Sequence, residues 1–288
     1  MLIGRTAELA CLREWLAHRH HTLVVGPVGI GKSALLQAAV EGRTDVFLLP
    51  RLQPLKPALC SIAQSLHAHG RLDLPEFDSA YLDWEELKPQ LIGFSAEELL
   101  TRLTPLLAAA IVIVDDLDGI TAATARLVEP LFEHALLVGA ITSLDMTPEL
   151  QRWFWHFRFL KLEPLGSAEV LALLWTQIDR AAVPDQAVFE QHVVDAAGGN
   201  PLAIRELARQ ALRGPLRHPA DIRQLHHEAG MHYIDLTPVL LLLGACAVIA
   251  RFLALGLNDI EAYILAGSVG ALFLVGRYII YRAMRSHS

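Results

Sequence analysis

The 288-residue chain has few cysteines and no recognisable secretory signal. Its three cysteines, Cys11, Cys60 and Cys246, lie far apart and show no metal-ligand spacing. We therefore expect small buried thiols in a reducing compartment, and a disulfide framework is excluded. Residues 1–15 lack the continuous apolar segment of a signal peptide, so no cleaved leader is expected.

Charged residues are also scarce. They make up 19% of the chain, against about 25% in ordinary soluble domains. The hydrophobic fraction is 53% and the mean hydropathy is +0.37, which excludes disordered, collagen-like and coiled-coil chains. Residues 236–288 contain four arginines and two acidic residues, so residues 1–235 carry a net charge of −9. A region this acidic predicts no direct nucleic-acid binding.

The apolar excess is concentrated in two 22-residue stretches, 236–257 and 260–281, separated by an Asn-Asp turn signal. They predict a two-helix transmembrane hairpin in contact with the lipid bilayer, and a buried helical hairpin is the alternative. Arg282 and Arg285 follow the second stretch, while the short loop has no Lys or Arg. This pattern predicts the inner (cytoplasmic) membrane with both termini in the cytoplasm. Small residues four apart in the second stretch permit self-association.

Apolar strand patterns alternate with helical patterns before these stretches. This alternation predicts an α/β core with a parallel sheet covered on both faces over residues 1–165. Only helical patterns follow over 166–235, which predicts a helical lid and connector before the hairpin at 236–288. Residues 71–90 read as an irregular insertion without an assigned role. The five predicted strands are 22–25, 46–49, 111–114, 135–141 and 157–162.

A glycine-rich loop between the first strand and the next helix fits the pattern G-x-x-x-x-G-K-[ST] in full. Glycines let backbone amides curl around phosphate oxygens, and the helix N-terminus adds partial positive charge. Lys32 is predicted to reach the β- and γ-phosphates of ATP, and Ser33 to bind Mg²⁺. The predicted nucleotide-binding stretch is Gly26, Pro27, Val28, Gly29, Ile30, Gly31, Lys32, Ser33 and Ala34.

Acidic and hydroxyl residues follow two later strands. Asp115 and Asp116 come directly after the buried run 111–114, about 80 residues beyond the glycine loop. We predict that Asp115 holds Mg²⁺ and that Asp116 orients the attacking water in phosphoryl transfer. Thr142 ends the fourth strand and is predicted to sense the γ-phosphate, with a cap or turn as the alternative. Asp118 is predicted to cap a helix.

Several motifs occur together in an order that resembles the STAND and Orc-like branch of AAA-type P-loop NTPases over residues 1–213. They are Ile3-Gly4-Arg5 with Glu8, the glycine loop, Asp115-Asp116, the segment 162–165 and the segment 198–202. The resemblance implies a P-loop NTPase core with a helical lid. It also implies that Gly4 and Arg5 flank the adenine and that Pro201 touches the base from the lid. A proline at the first helical position is the alternative for Pro201.

Two departures from that branch bear on catalysis. Leu144 stands where an arginine often follows the Thr-Ser pair, and Arg205 is displaced by about a turn from the position of a lid arginine. Hydrolysis is therefore expected to be slow, or to need an arginine from a neighbouring subunit. The candidates for such an arginine are Arg126, Arg152 and Arg158.

Together these features predict a membrane-anchored, Mg-dependent ATPase of the signalling or defence type, which acts as a nucleotide-driven switch. We expect a homo-oligomer and an unidentified protein partner. One alternative is an AAA-type ATPase of secretion or envelope remodelling. The other is a nucleotide-binding membrane scaffold with little hydrolysis.

Overall fold

The computed structural model describes residues 2–75, 82–144, 147–183 and 185–213. The chain divides into two compact units, Met1–Gly230 and Met231–Ser288, and all four described segments belong to the first. Single described positions beyond them are Ile222, Val248, Ile249, Phe252, Leu253 and Gly256.

A five-stranded parallel sheet forms the centre of the described part, in the order β2-β3-β4-β1-β5. The three central strands are buried along their whole length, as expected for strands covered on both faces. Because all strands run the same way, their carboxyl ends meet at one edge of the sheet. The predicted parallel α/β sheet is confirmed. The strands are β1 (Thr22–Val25), β2 (Val46–Leu49), β3 (Ile111–Val114), β4 (Leu136–Ile141) and β5 (Arg158–Lys161).

Alternate strand residues enter two separate apolar layers. Val24 packs with α1 and α2 on one face, while Leu23 and Val25 pack with α3 to α8 on the other. This division follows from the two-residue period of a strand. The helices are α1 (Thr6–Ala17), α2 (Lys32–Ala39), α3 (Leu55–Ala68), α4 (Trp84–Gly93), α5 (Ala96–Leu103), α6 (Ala122–Val128), α7 (Leu131–His134) and α8 (Pro148–Phe154).

Three further helices follow the sheet: α9 (Ser167–Gln177), α10 (Gln186–Ala197) and α11 (Pro201–Arg213). They enclose an apolar cluster of their own, which includes Leu174 and Phe189. We call these three helices the lid. Beyond α11 the predicted connector lies almost entirely outside the described residues, so the predicted division at 165 and 235 stays a prediction.

Two local predictions differ from the structure. The sequence pattern over 96–110 predicts one helix, but the helix ends at Leu103 and continues as a 3₁₀ turn over Thr104–Leu107, since Pro105 has no N–H to donate. The segment 71–90 was predicted to be irregular, but α4 begins inside it at Trp84. Residues 76–81 of that segment lie outside the described part.

The transmembrane hairpin predicted over 236–257 and 260–281 is contradicted. No helix in the described ranges is long and apolar enough to cross a bilayer. The longest of them, α3, has 14 residues, or about 21 Å against a hydrocarbon core of about 30 Å. Apart from five single positions, the two stretches lie outside the described residues. We therefore withdraw the hairpin, the bilayer contact and the inner-membrane location.

Candidate phosphate-binding site

The glycine loop leaves β1 at the carboxyl edge of the sheet and enters α2 at Lys32. Gly29 and Gly31 have φ angles of +81° and +103°, which side chains with a Cβ rarely adopt. These conformations curl the backbone in the way that anion-binding nests require. The structure thus gives the loop the shape that its sequence predicts.

The ammonium group of Lys32 folds back onto the loop. Its Nζ donates to the Gly26 carbonyl at 2.6 Å and to the Pro27 carbonyl at 3.2 Å. Burial lowers the pKa of Lys32 from its ordinary value, while the nearby carboxylates of Asp118, Asp115 and Asp116 oppose this by raising it. The positive charge of Lys32 therefore lies near the carboxylates of Asp115, Asp116 and Asp118.

Asp115 continues β3 and is held there by its backbone, whose N–H donates to Leu49 O at 2.9 Å. Its Oδ1 is buried and has no hydrogen-bond partner within the described residues. Ser33 and Asp115 both line a cavity of about 180 Å³. A buried carboxylate oxygen without a partner, on a residue that lines the same small cavity as a serine, fits the hard oxygen ligands that Mg²⁺ prefers.

Within the described ranges, no group of three or more His, Cys, Asp or Glu side chains is placed to hold a metal ion. This does not weigh against Mg²⁺ at Ser33 and Asp115, because nucleotide-bound Mg²⁺ typically takes only one or two carboxylates and completes its shell with phosphates and waters.

Thr142 lies between the loop and Asp115, because β4 pairs with both β1 and β3. Its N–H donates to Asp118 Oδ1 at 2.6 Å, and its hydroxyl donates to Asp118 Oδ2. Asp118 is therefore not a helix cap, since Thr121 caps α6. The Asp118 N–H in turn donates to Asp116 Oδ1 at 3.0 Å. The roles predicted for Asp116 and Thr142 stay predictions, and Asp118 is a site residue that sequence reasoning missed.

The lid contacts the glycine loop directly through Asn200, which is only 8% exposed. Asn200 Oδ1 accepts from Leu202 N–H at 3.0 Å and so caps α11. Asn200 Nδ2 donates to Val28 O at 2.9 Å, and Leu202 N–H also points to Gly29 O at 3.2 Å. Pro201 occupies the first helical position, as its alternative reading predicts.

Arg5 is buried at 4% exposure and joins three parts of the chain. Its guanidinium pairs with Glu8 at 2.8 Å and donates to Glu163 O at 2.6 Å and to Ile30 O at 3.4 Å. The last contact reaches the glycine loop. Its partners are therefore backbone and carboxylate oxygens, which makes Arg5 a structural clamp in addition to any contact with the base.

A cavity of about 360 Å³ lies between the loop and the lid. It brings together the predicted Arg5, the stretch Gly29–Ala34 and Pro201, with Ile3 and Arg205 also on its wall. Gly4 is not on this wall, and a Cβ added to it would meet Glu169 and Leu165. Gly26, Pro27 and Val28 lie off this wall and belong to the start of the loop.

None of the three candidate arginines lines the loop cavity. Arg126 and Arg152 face a separate cavity of about 560 Å³ between α6 and α8. The Arg158 guanidinium lies 5.6 Å from the centre of the Trp15 ring. An arginine from a second copy therefore stays a prediction.

No protein-family model matches the chain, and no curated protein matches it. A similar solved structure is the Signal Transduction ATPase with Numerous Domains (STAND) protein with a tetratricopeptide repeat sensor from Pyrococcus horikoshii. The two share 16% identity with a TM-score of 0.47, over 85% of this chain and 34% of that one. The chain thus spans about a third of that protein's length. A likeness of this degree carries no argument about activity, so function is inferred from the site.

Proposed function

We propose that the chain binds Mg-ATP at the glycine loop and acts as a nucleotide-driven conformational switch with ATPase activity. One observation carries this proposal: Ser33, which follows the loop lysine Lys32, shares a small cavity with Asp115 at one edge of a parallel sheet. A lysine that meets phosphate and a carboxylate that holds a metal are the two charges that phosphoryl transfer needs in one place.

The residues of the site are proposed to have different roles according to their positions. Loop amides and Lys32 would bind the phosphates, while Ser33 and Asp115 would hold Mg²⁺. Bound Mg²⁺ would neutralise charge that develops on the phosphate oxygens. Asp116 is exposed at the same edge and would orient water, while Asp118 keeps Thr142 in place.

The switch is proposed because the lid and the loop share hydrogen bonds. A nucleotide in the cavity between them would touch both parts, so its arrival or hydrolysis would change how α11 sits on the loop. We further propose a homo-oligomer in which a neighbouring copy supplies the catalytic arginine. Arg5 is already bonded within the fold, and Arg205, the other arginine on the described cavity wall, is displaced by about a turn from the position of a lid arginine. We also propose a protein partner that binds the lid in one of its two positions.

Binding without turnover is a second candidate. It is favoured by the Thr142 hydroxyl and the Asp116 Oδ1, which both take part in hydrogen bonds with Asp118. In that arrangement the Thr142 hydroxyl proton and Asp116 Oδ1 are already used within the protein, and the chain would be a nucleotide-binding scaffold.

The test is equilibrium binding of a fluorescent ATP analogue, with and without Mg²⁺, followed by phosphate release. Lys32→Ala should weaken binding by at least about tenfold, since a charge-assisted bond contributes about 1.5–3 kcal/mol. Lys88→Ala is the matched control, because Lys88 is exposed on α4, away from the loop.

Each outcome decides between the candidates. Unchanged binding in Lys32→Ala, or no binding by the wild type, would overturn the proposed site. Binding with phosphate release that Asp116→Asn abolishes supports the ATPase. Binding without release at any protein concentration supports the scaffold.

A further inference from the structure

Two carbonyl groups of the glycine loop, those of Val28 and Gly29, are held by the lid. In a planar trans peptide the C=O and the following N–H point in opposite directions. Fixing a carbonyl therefore fixes where the next amide donates. The Val28 carbonyl bonds to Asn200 Nδ2, so the Gly29 N–H must point to the other side of that peptide, away from Asn200.

Two neighbouring peptides are held in the same manner. The Gly29 carbonyl faces Leu202 N–H at 3.2 Å, and the Ile30 carbonyl faces Arg5 Nη2 at 3.4 Å. The Ile30 N–H already serves the turn, donating to Pro27 O at 3.3 Å. Of the three amides that follow these carbonyls, those of Gly29 and Gly31 are thus left for an anion, and these are the two glycines of the loop with positive φ.

Close approach of the lid explains the residue at position 29. The general phosphate-loop pattern leaves this position open. A Cβ on Gly29 would lie 2.6 Å from Leu202 Cβ and 2.7 Å from Asn200 Oδ1. Position 29 must therefore be glycine for the lid to reach the loop, independently of its φ angle.

We infer that Asn200 is a positioning residue of the phosphate loop. Its side-chain amide caps α11 with the oxygen and orients the Gly29 amide donor with the nitrogen. The lid therefore pre-organises the site for the phosphates of the nucleotide, and this effect is separate from any contact between Pro201 and the base. The inference rests on the proposed nucleotide-binding function and adds a residue to it.

Asn200→Ser tests the two hydrogen bonds of the Asn200 side chain separately, since it keeps the cap of α11 and removes the bond to Val28 O. Serine is as good a helix cap as asparagine, carries no charge that would repel phosphate, and is too short to reach Val28 O. Asp185→Ser is the matched control. Asp185 caps α10 through Val188 N–H, so the same kind of cap is exchanged in the lid, away from the loop.

The assay uses inorganic tripolyphosphate and adenosine as separate competitors of a fluorescent ATP analogue. Asn200→Ser should weaken tripolyphosphate and ATP roughly three- to tenfold, as expected for one hydrogen bond. Adenosine should change by less than about twofold, given that its ring and ribose meet no loop amide in this scheme. The thermal midpoint should stay close to that of Asp185→Ser.

Unchanged tripolyphosphate affinity in Asn200→Ser would overturn the inference. Equal losses for tripolyphosphate and adenosine would also overturn it, because they would indicate a general shift of the lid. If the wild type binds neither ATP nor tripolyphosphate, the proposed function itself fails. Asn200→Ala, which removes the cap as well, should lose more stability but no more phosphate affinity than the serine variant.

Discussion

Replacing Gly139 with alanine should displace the acidic segment Asp115–Asp118, because the added Cβ would collide with a leucine of that segment. Gly139 lies in β4, and a Cβ there would come within 2.2 Å of Leu117 Cδ1 and 3.1 Å of Leu23 Cδ1. Leu117 is 4% exposed, and its N–H donates to Ala140 O at 2.9 Å. Its isobutyl group anchors Asp115–Asp118 to the sheet, so the added methyl must move that anchor.

The expected loss of unfolding free energy is about 1–3 kcal/mol, the usual effect of one extra carbon in a packed core. The colliding atom is the end of a leucine, which can rotate, so the lower half of that range applies if the side chain finds another rotamer. If the anchor shifts instead, Asp118 moves relative to Thr142. ATP turnover should then fall more than ATP affinity.

Urea denaturation of Gly139→Ala, Leu117→Ala and the double variant measures the effect. Leu117→Ala alone should cost about 2–5 kcal/mol, and it removes the atom that collides with the new Cβ. The double variant should therefore be more stable than the sum of the single losses predicts, by about 0.5–3 kcal/mol. Gly119→Ala is the control, since a Cβ there meets nothing within 4 Å.

A fully additive double variant would refute this reasoning, because it would mean that Cβ of residue 139 and Leu117 do not compete for one space. So would a Gly139→Ala protein as stable as Gly119→Ala, which should lie within about 0.5 kcal/mol of the wild type.

Two further changes test the polar contacts. Asp118→Ala should cost about 1–3 kcal/mol in urea denaturation because it removes both acceptors of Thr142, and Asp118→Asn should cost less because one oxygen remains. Ser95→Ala should cost about 1 kcal/mol by opening the capping box of α5, with the exposed Ser61→Ala as an indifferent control. The hydrogen bond from Ser95 N–H lowers the pKa of Glu98 from its ordinary value. The stability that Glu98 gives to the folded protein is therefore fully present above the ordinary pKa and is lost as the pH falls through the lowered pKa. Glu98→Gln should accordingly differ from the wild type at neutral pH and match it in acid.

The sheet could be predicted closely from the sequence because its strands are short apolar runs between turn signals. The run 111–114 and the run 22–25 are strands with the predicted bounds, and β4 begins one residue later than expected. Such runs are determined by local composition and burial. The glycine loop was recognisable for a similar reason, since its motif is contiguous.

The contacts around the loop could not be predicted, because they join residues far apart in the chain. Asn200 and Val28 are 172 positions apart, and Asp118 and Thr142 are 24 apart. An asparagine before a helix-start proline does indicate a cap. Nothing local indicates that its other atom reaches the loop.

The shared use of Asn200 limits how strongly lid and loop can be coupled. Because one side chain both caps α11 and bonds to Val28 O, a lid that moves away either breaks that bond or drags the loop peptide with it. The bond to Val28 O alone, at about 1 kcal/mol, allows a coupling of roughly fivefold in phosphate affinity, and the contact of Leu202 N–H with Gly29 O adds to it. A coupling larger than these two contacts provide requires that the bound nucleotide itself bridge Pro201 and the loop. The size of the coupling thus indicates whether the switch works through the protein alone or through its ligand.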